Sequence, residues 1–309
     1  MTLKLTIEHL QSFFEYFLIG LRKGSIYALI ALGYTMVYGI VELINFAHGE
    51  IYMIGAFIGL ITATLLNFAG IQGGAALVLV LVVAGLYAGA YGFTVERIAY
   101  RPLRQAPRLS PLISAIGMSI FLQNYVLLAQ TSDFLPFPKL VPEFKFLDPI
   151  SHIFSSSDLV IFLVTGITMA VLTWIIRRTT LGKAMRATAQ DRTMAMLVGI
   201  RVNRIISATF VIGSVLAAIG GVLIASYMGQ INFFIGFVAG IKAFTAAVLG
   251  GIGSVPGAVL GSMILGMTES FSTGYLSSDY EDVFAFLLLV LILIFRPRGL
   301  LGRSKAQKV

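Results

Sequence analysis

An all-α, polytopic membrane helical bundle is the fold class this sequence predicts, and three observations carry the prediction. The chain is 58% hydrophobic and only 12% charged, with a mean hydropathy of +0.92, whereas soluble domains carry about 25% charged residues. Its apolar runs, among them residues 75–91, 159–176 and 283–295, approach or reach the ~20 residues needed to cross a hydrocarbon core about 30 Å thick. Short segments alternating apolar and polar residues, the mark of a transmembrane barrel, are absent, and lipid leaves an open backbone no partner outside a helix. An outer-membrane porin is excluded.

About eight or nine transmembrane segments follow along the chain. Residues 24–41, 49–66 and 75–95 supply the first three, with residues 5–21 expected along the interface, a placement that Arg22 and Lys23 fit poorly. No small-residue cleavage site follows a basic start, so this first segment is expected to be retained rather than removed as a signal peptide. Residues 111–130 and 159–176 flank a loop holding Asp133, Glu143, Asp148, Asp158 and several prolines, which places that loop outside. Three basic clusters are assigned to the cytoplasm by the positive-inside rule. They are Arg97, Arg101, Arg104 and Arg108; the loop at 177–204; and Arg296, Arg298, Arg303, Lys305 and Lys308.

This clustering also accounts for the net charge of +8 as topology, with no nucleic-acid partner implied. Residues 205–228 form a clear span, while 236–250 and 256–271 are short and glycine-rich, either two crossings or a re-entrant pair. The acidic stretch 274–282 lies outside, and 283–295 returns the chain to the cytoplasm. Residues 1–309 thus form one transmembrane domain with a cytoplasmic loop at 177–204 and no soluble domain. No repeat is visible at the level of residue identity, although inverted repeats can be legible only in three dimensions. There are no cysteines, which removes disulfides, thiolate metal sites and cysteine catalysis.

The loop at 177–204 has a local code of its own. Asp191 precedes RTMAMLV and Gly199 follows it, the N-cap and C′ arrangement of a short helix. A second short helix is expected over 181–189 with Thr180 as its cap, placing Leu181, Ala184, Met185 and Thr188 on one face. Two readings stay open. Basic amphipathic helices routinely rest on anionic lipid, and a helix tied at both ends to membrane spans can also transmit force when a soluble partner grips it.

Three motifs in fixed order carry a family resemblance: INFAHGE at 44–50, ISAIGMSIFLQN at 113–124 and KAFTAAVLGGIGSVPGAVLG at 242–261. Over nearly its whole length the chain resembles the permeases of branched-chain amino-acid ABC importers, the LivH type. The resemblance implies a multi-pass permease subunit in the inner (plasma) membrane of a bacterium, moving leucine, isoleucine or valine. Amides, urea or other amino acids remain open within the same pattern. It also implies a second homologous permease in a heterodimer, two cytoplasmic ATP-binding subunits that hydrolyse the ATP, and an extracytoplasmic amino-acid-binding protein. By the same resemblance, residues 182–199, with Gly182, Ala184, Arg186, Ala187, Asp191 and Gly199, form the coupling element seated in an ATPase groove. The chain departs from the broader permease coupling motif in lacking its acidic start, since Arg186 precedes Ala187.

Polar residues at membrane depth are the other candidates. Asn45, His48 and Glu50, with Glu42 upstream, either line or gate the pathway or sit in the interface, because ionisable groups in hydrocarbon face a cavity or one another. A metal site is not expected, as His48 and Glu50 are two residues apart whereas helical ligands favour three or four. Gln123 and Asn124 are suited to interhelical hydrogen bonds or to a substrate. Lys242 and Glu269, on the two glycine-rich segments, are expected to neutralise each other.

GGIGSVPG at 250–257 superficially resembles a phosphate loop but lacks the following Lys and Ser or Thr and a preceding strand, so it reads as a tight turn. The chain has no HExxH, no GxSxG and no paired aspartates on spans, so neither catalysis nor a cofactor is expected. A stand-alone channel or ion-coupled carrier would need recurrent acidic residues within spans, and Glu42, Glu50 and Glu269 are scattered.

Overall fold

A computed structural model describes residues 2–107, 109–151 and 153–302, with side chains of the first helix from residue 9 onward. Of the basic clusters, Arg108, Arg303, Lys305 and Lys308 lie outside the described residues. The helices are α1 (Thr2–Val41), α2 (His48–Phe68), α3 (Gly73–Val95), α4 (Leu109–Ala129), α5 (Ser156–Arg178), α6 (Thr180–Gln190), α7 (Arg192–Leu197), α8 (Val202–Met228), α9 (Ile235–Gly250), α10 (Val255–Tyr275) and α11 (Glu281–Phe295). Two-residue strands β1 (Leu135–Pro136) and β2 (Gln230–Ile231) pair antiparallel and tie the outer loop to the end of α8.

Six described helices, α1 to α5 and α8, are long and apolar enough to cross a membrane, and α9 and α10 form a pair bent by 119° at the glycine turn. Among the described residues this gives six spans, or seven with the bent pair taken as one; the expected eight or nine is reached only when α9, α10 and the 15-residue α11 are each counted as a crossing. The beginning of the chain corrects one expectation. Residues 5–21 do not form a separate interfacial segment, because α1 runs unbroken from Thr2 to Val41. Small residues explain this: Gly20 and Gly24 pack onto Met267 and Met263 of α10, and Gly266 packs back onto Gly20 and Gly24, the close approach that glycine permits between membrane helices.

Arg22 and Lys23, which fit an interfacial segment poorly, are paired inside the bundle. The Arg22 Nε lies 2.7 Å from Asp158, and the Lys23 Nζ 2.8 Å from Glu281. Asp158 is meanwhile the N3 residue of a capping box with Ser155 that starts α5, so one carboxylate both begins a helix and docks it on α1.

The α1 C-terminus meets the basic loops, since the Arg192 guanidinium donates to the Ile40 carbonyl at 2.8 Å. That end is the cytoplasmic one by the positive-inside rule. α1 therefore runs inward from the outer side, and α2 begins only after the connection 42–47 has climbed back toward mid-membrane, where His48 packs on Gly33.

The bundle contains an inverted repeat that residue identity conceals. Units α1–α4 and α8–α11 share one packing scheme, with α1 lying on α10 as α8 lies on α3, and α2 crossing α9. The first helices are antiparallel and exchange contacts reciprocally: Gly33 faces Gly213, and Gly220 faces Ile26. Each ends on a residue with positive φ, Glu42 at 57° and Gly229 at 71°, and the second helix starts after a short non-helical connection. In each unit two positive-φ glycines turn the second helix into the third, Gly70 and Gly73 in one, Gly251 and Gly253 in the other. The turn expected at GGIGSVPG is this second one. Each unit also buries a glutamate completely, Glu96 directly after α3 and Glu269 within α10.

Candidate functional site

The repeat brings the starts of two interrupted helices together. Gly49 of α2 lies against Gly236 and Gly240 of α9, so the backbones touch where a Cβ on any of the three would intrude. Beside this crossing a cavity of about 340 Å³ opens between α4 and α9. Its α4 wall is Ile116, Ser119, Ile120 and Gln123, and its α9 wall Gly236, Phe237, Gly240, Ile241 and Phe244, in each case residues three and four apart on one helical face. Tyr34 and Glu50 form the floor, and Phe46 and Phe234 come from the two non-helical connections. Ile120 (55% exposed) and Phe237 (45%) mark a mouth on the lateral surface.

Glu50 is the charged group of this cavity and is 1% exposed. Its Oε1 accepts from the Ser119 hydroxyl at 3.1 Å, while Oε2 has no hydrogen-bond partner among the described residues. The Gln123 Nε2, one turn along α4 from Ser119, is likewise buried without an acceptor among the described residues. Next to Glu50, whose Oε2 lies against Gly236, α9 begins at Ile235 with no side-chain cap; the Ile235 N–H reaches the Asn232 carbonyl at 3.4 Å, and the following first-turn N–H groups have no intrahelical acceptors, which puts the positive end of a helix dipole beside the cavity.

The other membrane candidates have different surroundings. Asn45 and His48 are buried within the bundle. Asn45 Oδ1 accepts from the Tyr100 hydroxyl at 2.7 Å, joining the 42–47 connection to the π-helical turn that follows α3. His48 Nε2 stands 3.2 Å from the Ile30 carbonyl, so it carries the proton and donates, and the ring packs edge-on to Tyr34 with centroids 4.7 Å apart. Both residues pin the start of α2. Asn124 is turned away, exposed and bonded to its own helix through the Ile120 carbonyl at 2.8 Å.

Lys242 and Glu269 do pair, at 3.2 Å, within a larger cluster outside the cavity. Lys242 also meets Glu281 at 2.9 Å and Asp282 at 2.7 Å, and Tyr27 donates to Glu269 at 2.8 Å. Charges from α1, α9, α10 and α11 are neutralised in one knot. Its counterpart in the inverted unit joins Glu96 to Arg104 and to the Ser207 hydroxyl. Among the described residues no group of three or more His, Cys, Asp or Glu is placed to hold a metal.

The cytoplasmic loop folds as two short helices. Asp191 caps α7 by accepting from the N–H groups of Thr193 and Met194, and Gly199 at φ 85° closes it with bonds from Gly199 to Met196 and from Ile200 to Ala195, a Schellman ending. The cap of α6 is corrected by one residue: the Thr179 hydroxyl, not Thr180, accepts from Gly182 N–H at 3.1 Å. Thr180 is already helical, and only the extended backbone of Thr179 can aim its side chain back at the first turn.

Gly182 lies against the carbonyls of Ile175 and Ile176, and Arg186 donates to Ile176. Met185 and Thr188 are buried, and Ala184 and Ala187 are half-buried, so the apolar face of α6 is spent on the bundle. The free apolar surface lies one helix further on, at Met194, Met196, Leu197 and Val198, the last two 75% exposed. Sequence reasoning missed these four because their apolarity reads as core. It missed the aromatic cavity walls for the same reason, and Ser119 because a lone serine in an apolar run carries no local signal of the carboxylate it meets.

An interrupted-helix bundle with a cavity at membrane depth and a braced cytoplasmic loop has the build of a solute permease. The chain belongs to the family described as branched-chain amino acid transport system, permease component, whose profile matches residues 16–293. It is 52% identical over 294 residues to the high-affinity branched-chain amino acid transport system permease protein BraD of Pseudomonas aeruginosa, covering 94% of this chain and 96% of that one. It is 51% identical over 295 residues to the permease protein LivH of Escherichia coli K12, with the same coverage. A probable branched-chain amino acid transport permease of Methanocaldococcus jannaschii is 26% identical over 90% of this chain.

Proposed function

We propose that this chain is the permease subunit of an ATP-binding-cassette importer and forms the membrane path for leucine, isoleucine and valine. The observation that carries the reading is the 52% identity, over almost the full length of both chains, to a permease of a high-affinity branched-chain amino acid transport system. The assembly sits in a bacterial inner membrane. A second homologous permease covers the lateral mouth between α4 and α9, an extracytoplasmic binding protein delivers the amino acid, and two cytoplasmic ATPases supply the energy. This chain hydrolyses nothing itself.

The coupling element is α6–α7. Gly182, Ala184, Arg186 and Ala187 brace α6 on the end of α5, Asp191 and Gly199 set the length of α7, and the exposed Met194, Met196, Leu197 and Val198 enter the ATPase groove. The contact from Arg192 to the Ile40 carbonyl supports this reading, because it offers a short path from α7 to α1 and thence to the connection before Glu50.

The test is reconstitution of the chain in proteoliposomes with and without the ATPase subunits that co-purify with it, measuring leucine uptake. Uptake is expected only with ATPases and ATP, and uptake without them overturns the importer reading. Met194→Asp combined with Leu197→Asp is expected to abolish ATPase co-purification while leaving the membrane bundle folded. Retained association removes α7 from the coupling role.

A further inference from the structure

We infer that the cavity between α4 and α9 is a binding site for a zwitterionic amino acid with an aliphatic side chain, its ammonium held by Glu50. The inference rests on the permease reading and assigns that function an atomic recognition site. Four features converge. Glu50 is almost completely buried, yet one carboxylate oxygen has no hydrogen-bond partner among the described residues, and a buried anion left short of hydrogen bonds is expensive. The complementary knots around Glu269 and Glu96 show that this chain surrounds its other buried carboxylates with cations and hydroxyls. At Glu50 the place of a cation is the cavity itself.

The second and third features form an anion site beside that carboxylate. The first turn of α9, where Asn232 takes the Phe234 and Ile235 N–H groups but no side chain caps those of Gly236 and Phe237, and the Gln123 Nε2, without an acceptor among the described residues, both border the same space. An α-amino acid carries its cation and anion on adjacent atoms, so ammonium on Glu50 and carboxylate on α9 and Gln123 are satisfied together. A bare cation would leave Gln123 and the helix end unpaired, and a bare anion would face Glu50. The fourth feature is the remaining wall: Phe46, Phe244, Ile116, Ile120 and Ile241 offer apolar surface to a branched aliphatic side chain and no partner to a polar one. The volume of about 340 Å³ lies at the lower end of the ~300–1,000 Å³ usual for small-molecule sites, which fits a single amino acid.

The experiment uses the full chain in nanodiscs, with binding of L-leucine, isoamylamine (no carboxylate) and 4-methylpentanoate (no amine) measured by calorimetry. Leucine is expected to bind more tightly than either fragment. Glu50→Gln should weaken leucine about 10- to 100-fold, the loss of one charge-assisted bond, and leave 4-methylpentanoate unchanged or tighter. Gln123→Ala should weaken leucine and 4-methylpentanoate but spare isoamylamine, and serves as the second variant if Glu50→Gln does not fold.

Leucine binding by Glu50→Gln at the wild-type affinity overturns the site, as does failure of the wild-type chain to bind leucine at millimolar concentration. ATP-driven leucine uptake by the reconstituted wild-type assembly separates the two failures. Uptake that persists undiminished in Glu50→Gln sinks this site alone, whereas absence of wild-type uptake sinks the permease reading beneath it.

Discussion

Glu50 and Glu269 are two carboxylates buried to the same degree in one bundle, and their surroundings differ in every respect that matters to function. Glu269 is met by Lys242 at 3.2 Å and Tyr27 at 2.8 Å, with Lys23 at 3.9 Å, from helices α9 and α1. Glu50 is met by one serine and a cavity. A buried anion surrounded by cations holds helices together, and its removal or that of its partner is felt as instability. A buried anion beside unfilled space is an unfinished interaction, and its removal is felt when the missing partner arrives. Burial alone does not separate the two cases; partner inventory does.

The largest expected effect tests the structural member of the pair. Lys242→Ala leaves Glu269 short of its nearest cation and should destabilise the detergent-solubilised chain by about 3–5 kcal/mol in thermal unfolding. Adding Glu269→Gln should recover a large part of that loss, a non-additivity that independent sites would not show. Glu50→Gln, by contrast, should leave the melting temperature unchanged or slightly higher. An equal loss of stability from Glu50→Gln and Lys242→Ala would erase the distinction.

Glycine contacts sharpen the comparison at a smaller scale. Gly49→Ala drives a methyl group into Gly236 and Gly240 beside the cavity, and Gly266→Ala drives one into Gly20 and Gly24 beside the ion knot. Overpacking of this kind costs about 1–3 kcal/mol, and both variants should melt earlier. Only Gly49→Ala should also change leucine affinity, because only that contact sets the spacing of α2 and α9 at the cavity.

At the cytoplasmic end, Asp191→Ala removes an N-cap worth about 1 kcal/mol. Amide exchange of residues 192–198 should rise roughly five-fold, with no change in the membrane helices. Unchanged protection in that loop would show that α7 is held by the bundle rather than by its caps. The smallest effect belongs to Asn124→Ala. Exposed and, among the described residues, bonded to its own helix, Asn124 should tolerate the change within about ±0.5 kcal/mol, with leucine binding intact. A binding defect there would widen the site beyond the cavity drawn from Glu50 and Gln123.

Local signals in the chain were strong where local physics decides. The apolar runs at 49–66, 75–95, 111–130, 159–176 and 205–228 announced five helices, since length and apolarity are what a bilayer selects. Asp191 and Gly199 announced α7, because caps act within one helical turn. Lys242 and Glu269 could be paired on paper, as unpaired charges are disfavoured in lipid. The α6 cap was read one residue late, at Thr180 instead of Thr179, a difference set by which of two adjacent threonines has extended backbone.

By itself, then, the sequence determined a helical membrane protein, its basic loops, the caps of α7 and the motifs of its family. Tertiary structure alone decided that α1 is one helix, held along α10 by glycine contacts that no hydropathy window sees. It alone revealed the inverted repeat, because equivalent packing is conserved by shape and turn geometry and not by residue identity. It alone separated Glu50 from Glu269. Both are glutamates in apolar surroundings along the chain, and what distinguishes them is contributed by α1, α4, α9 and α11, elements distant in sequence and adjacent only in the folded bundle.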